Sequence, residues 1–377
     1  MKGFERPIEI SPTQLVLLVF GTIVGVGFIT LPRGVVEKAR EDAWITIILA
    51  GFVSLVSLWL ILRTARIFPK DTLVEYNVKI FGRFCGFLFN LLFAEYFLLF
   101  TVTGIRTMAE VVRAEMLPFT PLEAIIIAML ITIFYAAWDG LMPIVRINES
   151  GQPITFLLII LFFMIAYLEA DWYEIRAPFA EGFLRVVQPI PDTTYSYLGF
   201  EILLLYYPFV LKKEKCFWNA STGIALSGAF YSFIVLGALL TLGPDVTMTQ
   251  TYPVVTMAKM IEIVRQFVER AELLLIILWL PLAYTTHLVV FFSSAFTMNR
   301  MFPRISQRWW MGLSIPVIYV LTLIPDNLME MERWTNYVGV IGMFILFVYP
   351  LLLLAGVFVR RKLGLLPASG IQEGEES

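Results

Sequence analysis

The chain has 377 residues, 59% of them hydrophobic and 15% charged, with a mean hydropathy of +0.79. Soluble domains carry roughly 45–50% apolar and about 25% charged residues, so the surplus here has to face lipid, and disorder or a collagen-like chain is excluded. A net charge of −2 gives no basic field for nucleic acid, Cys85 and Cys216 make no disulfide framework or metal spacing, and a single histidine, His287, argues against a zinc or haem site.

Crossing a bilayer as a helix takes about 20 mostly apolar residues. Ten segments answer to this: 13–31, 44–62, 84–106, 121–138, 151–168, 183–211, 217–241, 271–296, 311–325 and 335–359. Segment 1 is not read as a cleaved signal peptide, because nine more spans follow it. With the N-terminus cytoplasmic, most of the 28 basic residues fall inside, including Lys212, Lys213, Lys215, Arg360, Arg361 and Lys362. The positive-inside rule therefore predicts that both termini are cytoplasmic. Trp44, Trp172, Tyr173, Trp218, Trp309 and Trp310 fall near span ends, as an interfacial belt should. Residues 1–367 read as one polytopic domain, followed by a short acidic tail, 368–377, expected to be disordered.

Ten helices divide into two sets of five, about 11–168 and 183–361. Since five is odd, the second set enters the membrane from the opposite side, so any repeat relating the halves is inverted. If the first helix of each half lines a substrate site, both should be interrupted. Segment 1 has Gly21, Gly25 and Gly27 within seven residues, and segment 6 has Leu198-Gly199-Phe200-Glu201 with Pro208 beyond. Glycine disfavours a continuous helix. Small residues four apart, here Gly21 and Gly25, also mark close helix packing. Unwound turns expose N–H groups on one half-helix and C=O groups on the other, which suits the carboxylate and ammonium of a free amino acid.

Three charged groups lie inside spans, Glu201, Glu95 and Arg106. Glu201 stands eleven residues before Lys212, about 16 Å above the inner surface. It either caps N–H groups at the break or shapes and gates the pocket, taking up a proton. Glu95, in helix 3, is either a proton site or a hydrogen-bonding residue facing helix 10 or helix 1. Arg106 is too far along the same helix to pair with it. His287 reads as a packing residue more readily than a ligand. Beside it, the hydroxyls of Thr285 and Thr286 either coordinate a cation or substrate oxygen or bond back to their own helix. The sequence has no phosphate-cradling glycine loop, HExxH, GxSxG or Cys/His cluster, so no enzyme, cofactor or metal centre is expected.

Ile10-Ser11-Pro12, the Gly21–Gly27 run, Thr30-Leu31-Pro32-Arg33, Trp44-Ile45, Arg106–Glu110 and Leu198–Glu201 followed by Pro208 and the lysines resemble, in order and spacing, the spore germination permease family. These are the B subunits of germinant receptors, in the amino acid–polyamine–organocation (APC) transporter superfamily. The resemblance spans essentially the whole chain. It implies an all-α LeuT-like fold with discontinuous helices 1 and 6, resident in the inner membrane of the spore. It also implies a nutrient sensor, most often of an amino acid, acting with an A subunit and a C-subunit lipoprotein. Carried over, the ligand pocket is Gly25, Val26 and Gly27 on helix 1, Phe100 on helix 3, Leu198, Gly199 and Glu201 on helix 6, and Thr285 and Thr286 on helix 8. Proton-coupled members of the superfamily often carry a lysine in helix 5, and Gly151–Leu168 has none. The alternative is a proton- or sodium-coupled amino-acid permease.

Overall fold

The computed structural model describes residues 8–168, 170, 178–179, 182–261 and 269–365. Among them the regular structure is helical, apart from one isolated parallel bridge between Ile10 and Val210. The tail 368–377, Trp172 and Tyr173 lie outside the described residues. Among the described residues six stretches are long and apolar enough to cross a membrane: Gly27–Ile67, Leu73–Glu115, Leu141–Leu168, Lys213–Thr249, Ala271–Met301 and Leu328–Lys362.

Helix α1, Pro12–Ile23, starts at a reciprocal cap. Ser11 Oγ accepts from the Gln14 N–H at 3.3 Å and Gln14 Oε1 accepts from the Ser11 N–H at 3.0 Å, with Pro12 pre-set in the first turn. The chain then unwinds through Val24-Gly25-Val26 and resumes as α2, Gly27–Ala39. Next come α3, Ala43–Ile67, and α4, Leu73–Glu115, whose first turns bend away at Gly82, where φ is 82°. Helix α5 spans Leu122–Ala137 and α6 spans Leu141–Leu168. Helix α6 therefore begins ten residues ahead of the expected Gly151, which brings Asn148 into the span.

The sixth segment is a series of pieces, as the Leu198-Gly199 signal predicts. Its first residues form a separate short helix, α7 (Phe183–Val187), followed by α8, Ile190–Thr194, and a 3-10 turn to Tyr197. The helix breaks at Leu198-Gly199, and the chain continues through a turn at Phe200–Ile202 into α9, Leu203–Tyr206. Helices α10 (Cys216–Thr249), α11 (Pro253–Met260), α12 (Ala271–Met301), α13 (Gln307–Leu323) and α14 (Leu328–Met343) follow. A π turn then leads into α15, Tyr349–Lys362.

The core is built around α10 and α12. Helix α10 packs on α3, α1 and α2, while α12 packs on α4, α6 and α1. At one end of the bundle the chain leading into α1 is strapped to the exit of the sixth segment. The Ile10 N–H donates to Phe209 O at 2.8 Å, and the Leu211 N–H donates to Ile10 O at 3.1 Å. At the other end α2 and the residue that follows it are held by ion pairs to three elements: Arg33–Glu332 at 3.5 Å, Lys38–Asp192 at 2.5 Å and, just past the helix, Arg40–Asp245 at 2.8 Å. Helix α11 covers that end, with Val254, Val255 and Met257 buried against α2, α10 and α12. Around the outside, large apolar side chains such as Phe52, Ile131 and Val340 are more than half exposed, as a surface in contact with acyl chains requires.

Candidate functional site

The two broken helices meet. A Cβ on Gly199 would fall 2.5 Å from Thr22 O and 2.9 Å from the Ile23 nitrogen, so backbone lies directly on backbone. Gly199 also holds φ at 134°, a conformation that side-chain-bearing residues avoid. Glycine is required here twice over, for space and for torsion.

An unwound turn in an apolar interior has to find partners for every released peptide group. The first break releases carbonyls, and side chains from two other helices meet them. Thr286 Oγ1 lies 2.7 Å from Gly21 O and 3.2 Å from Val24 O. The Tyr231 hydroxyl donates to Ile23 O at 2.9 Å, and Trp279 Nε1 donates to Gly25 O at 3.4 Å. All three side chains are buried. Gly25 makes room for this arrangement, since a Cβ there would stand 2.9 Å from Thr286 Oγ1. The second break releases an N–H, and an acid meets it. Glu201, wholly buried, accepts the Gly199 N–H on Oε2 at 2.6 Å and the Tyr96 hydroxyl on Oε1 at 2.6 Å. This is the capping geometry, with one helix-3 phenol added to it.

Beside the breaks the packing opens. Val26 is half-buried, and Gly27 is exposed, with nothing within 4 Å of where its Cβ would be. Phe100, also half-buried, stands edge-on to His287 with ring centres 5.9 Å apart, and lies 5.9 Å from the Tyr96 ring. His287 is wholly buried in a notch cut by Gly104, where a Cβ would fall 1.7 Å from the imidazole Cε1. Among the described residues neither ring nitrogen has a partner.

These residues form one chain of contact through the middle of the bundle. Two interrupted helices cross, with an aromatic group from α4 (the third span) and hydroxyls from α12 around them. The model of the family described as "Spore germination protein" matches residues 9–331. The chain belongs to that family. It is 28% identical over 355 residues to spore germination protein YndE of Bacillus subtilis (strain 168), covering 93% of this chain and 97% of that one. Spore germination protein A2 of the same organism is 27% identical over 367 residues, 96% and 99% of the two chains. Among solved structures, the nucleobase-cation-symport-1 transporter Mhp1, closed with bromovinylhydantoin bound, superposes with a TM-score of 0.66 at 11% identity, over 98% of each chain. MhsT in complex with L-phenylalanine gives 0.60 at 14% identity, over 94% of this chain and 99% of that one. The fold is that of LeuT-like transporters, and this spore germination protein is an integral membrane protein.

The expected residues do not all converge. Gly25, Gly199, Glu201 and Thr286 sit at or against the breaks. Leu198 lies at the second break, but its side chain is buried against Gly342 of α14, where a Cβ would fall 2.5 Å from Leu198 Cδ1. Thr285 Oγ1 donates to Leu282 O at 2.9 Å and accepts from Gln152 Nε2, one step away from the crossing point. Glu95 is not brought to the site and lies exposed on the far side of α4. Arg106 is buried in an ion pair with Glu110 at 2.9 Å and donates to Thr322 O at 2.7 Å. It borders a cleft of about 600 Å3 that also includes Arg113, Phe119, Glu123 and Asp326.

Asn148 and Gln152 of α6 escaped the sequence reading. Both are buried against Gly21, where a Cβ would fall 2.2 Å from Asn148 Oδ1 and 2.6 Å from Gln152 Nε2. Asn148 Oδ1 and Gln152 Oε1 have no donor among the described residues. Two amides four apart at the head of an apolar span were the available signal. They are the physical reason for Gly21: it is small because α6 presses amides against α1.

Proposed function

We propose that this chain is the membrane subunit of a spore germinant receptor that binds a small amino-acid-like nutrient beside the paired breaks in helices 1 and 6. The observation that carries this reading is the contact between the two breaks at mid-bundle. There the open flank of Val26 and Gly27 adjoins peptide groups that a zwitterion could share. The L-phenylalanine bound to MhsT, a protein of the same fold, supports the ligand class, and the spore germination relatives support the physiological setting. Gly25, Val26, Gly27, Phe100, Leu198, Gly199, Glu201, Thr285 and Thr286 are the proposed pocket residues, between helices 1, 3, 6 and 8.

In this reading the chain crosses the spore inner membrane ten times as an inverted five-plus-five repeat with both termini cytoplasmic. An A subunit and a C-subunit lipoprotein read its state. A sensor needs only a ligand that binds two conformations with different affinity. Occupancy that shifts Thr286 or Glu201 off the broken helices would release α1 and the sixth segment together, because Gly199 rests on Thr22.

The second reading, an amino-acid permease coupled to protons or sodium, is favoured by the transporter fold and by the oxygen-rich cluster of Gly21 O, Asn148, Gln152, Thr285 and Thr286. Purified protein in liposomes, given radiolabelled amino acids under imposed proton and sodium gradients, separates the two. Saturable binding without concentrative uptake is the expected result. Gradient-driven accumulation would establish the permease instead, and absence of binding across the amino-acid panel would remove the ligand class.

A further inference from the structure

Helix α4 carries one acid on its outward face. Phe84, Leu88, Leu91 and Glu95 follow one another at spacings of four, three and four, and all four are exposed, the three apolar ones by 75%, 48% and 42%. Glu95 stands twelve residues beyond Arg83 and eleven before Arg106, so about 16–18 Å of helix separates it from each of these arginines. Among the described residues no hydrogen bond or ion pair reaches its carboxyl group. Lysine and arginine escape such a position by extending to the interface. A glutamate side chain is too short to do so across half a bilayer.

An ionisable group at this depth is strongly disfavoured against acyl chains and ordinarily meets a partner. Within the chain, Arg106 is the base embedded in the same helix, and Glu110 and Thr322 O already engage it. The counter-charge therefore has to come from elsewhere. A second copy docking through the same face would set two carboxylates together, which is repulsive. A hydroxyl would donate one hydrogen bond and leave the charge uncompensated. The three-and-four spacing is that of a helix–helix seam, with side chains of one helix seated between those of the next.

We propose that the Phe84–Leu88–Leu91–Glu95 face of α4 is the docking seam for a transmembrane helix of a partner subunit, registered by a lysine or arginine that this helix carries at mid-membrane depth. The inference deepens the proposed receptor role and rests on the chain working in a complex. It does not depend on which ligand the chain binds. Because Glu95 is exposed while Tyr96, about 100° further round α4, is buried against Glu201, docking here would touch the helix that supplies the Tyr96–Glu201 contact without obstructing the pocket.

The test uses the full chain, tagged and co-expressed with the partner subunits of the proposed receptor complex in bacterial membranes. A photo-crosslinking residue at Leu91 identifies the neighbouring helix, and recovery of that subunit is measured with wild type, Glu95→Leu and Glu95→Lys. Monodisperse elution and unchanged melting check that the variants fold, as they should with an outward-facing side chain. Glu95→Leu is expected to lower partner recovery by at least about tenfold, as for loss of one member of a buried charge pair. Glu95→Lys is expected to abolish recovery, and a glutamate at the partner's basic position should restore it to the Glu95→Lys protein. Wild-type recovery by Glu95→Leu, or a crosslink to a helix with no mid-membrane base, would overturn the seam while leaving the receptor complex standing. If no subunit is recovered even with wild type, the complex itself is refuted, and the seam with it.

Discussion

The two helix breaks solve the same problem with opposite chemistry. At Val24–Val26 the groups left over are carbonyls, and they accept from Thr286, Tyr231 and Trp279, donors on helices remote in sequence. At Leu198-Gly199 the bonded group is an N–H, and its acceptor is a carboxylate two residues further along the same strand of chain. A carbonyl needs any neutral donor, and several helices can supply one. An N–H at a half-helix start favours negative charge, and one acid close by suffices. The first break is therefore assembled by tertiary packing, while the second carries its own cap.

That contrast can be broken experimentally, and the largest effect is expected at Gly199. Alanine there meets Thr22 O at 2.5 Å and a positive φ, so Gly199→Ala should fail to yield monodisperse protein on size exclusion. Recovery of a well-behaved, ligand-binding Gly199→Ala protein would show that the breaks do not touch as described. Glu201→Ala should come next. It leaves a buried N–H and the Tyr96 hydroxyl without their acceptor, and about 1–3 kcal/mol per group should be visible as a lower melting temperature. Glu201→Gln, which keeps one acceptor oxygen, should lose less, and an equal loss from both would mean that bulk rather than acceptance matters.

The first break should be more tolerant, because its load is distributed. Thr286→Val removes one hydroxyl from two carbonyls and should cost about 1–3 kcal/mol, with Thr286→Ser regaining most of it. Gly25→Ala puts a methyl 2.9–3.1 Å from Thr286, a clash that a small shift relieves. It should fold and insert while weakening ligand response, and normal affinity in a folded variant would sink the helix-1 pocket. Tyr231→Phe, which removes a single donor from Ile23 O, should have the smallest effect, about 1 kcal/mol in a melting comparison.

Both helix breaks were legible residue by residue. Gly25, Gly27 and Gly199 marked the breaks because glycine in an apolar span is locally unfavourable and needs a reason. Glu201 next to Gly199 marked a cap because an acid cannot stay at that depth without donors. Glu95, with no break beside it, read from its depth alone as a proton site or a hydrogen-bonding residue, and the structure separates the two acids: Glu201 is buried at the breaks and Glu95 is exposed. Which way a helix is rotated is decided by the sum of its contacts, and helix 3 is turned by Tyr96 toward Glu201, Ala94 toward Ser294 and Gly104 toward His287. Asn148 and Gln152 were missed for a related reason. Asn148 lies in a part of the helix that starts earlier than hydropathy indicates, and both amides are sheltered by neighbouring helices rather than left to lipid.

By itself the sequence determined that the chain is helical and membrane-embedded, that helices 1 and 6 are interrupted, and to which family it belongs. Those properties depend on apolar length, glycine placement and motif order, which are local. Only the tertiary structure decided that the two interruptions rest on each other, that Thr286, Tyr231 and Trp279 satisfy the first, and that one membrane-embedded acid is used internally while the other is offered to the outside. Such outcomes depend on which side chains from distant helices arrive at the same depth and on the same face, and no single segment contains that information.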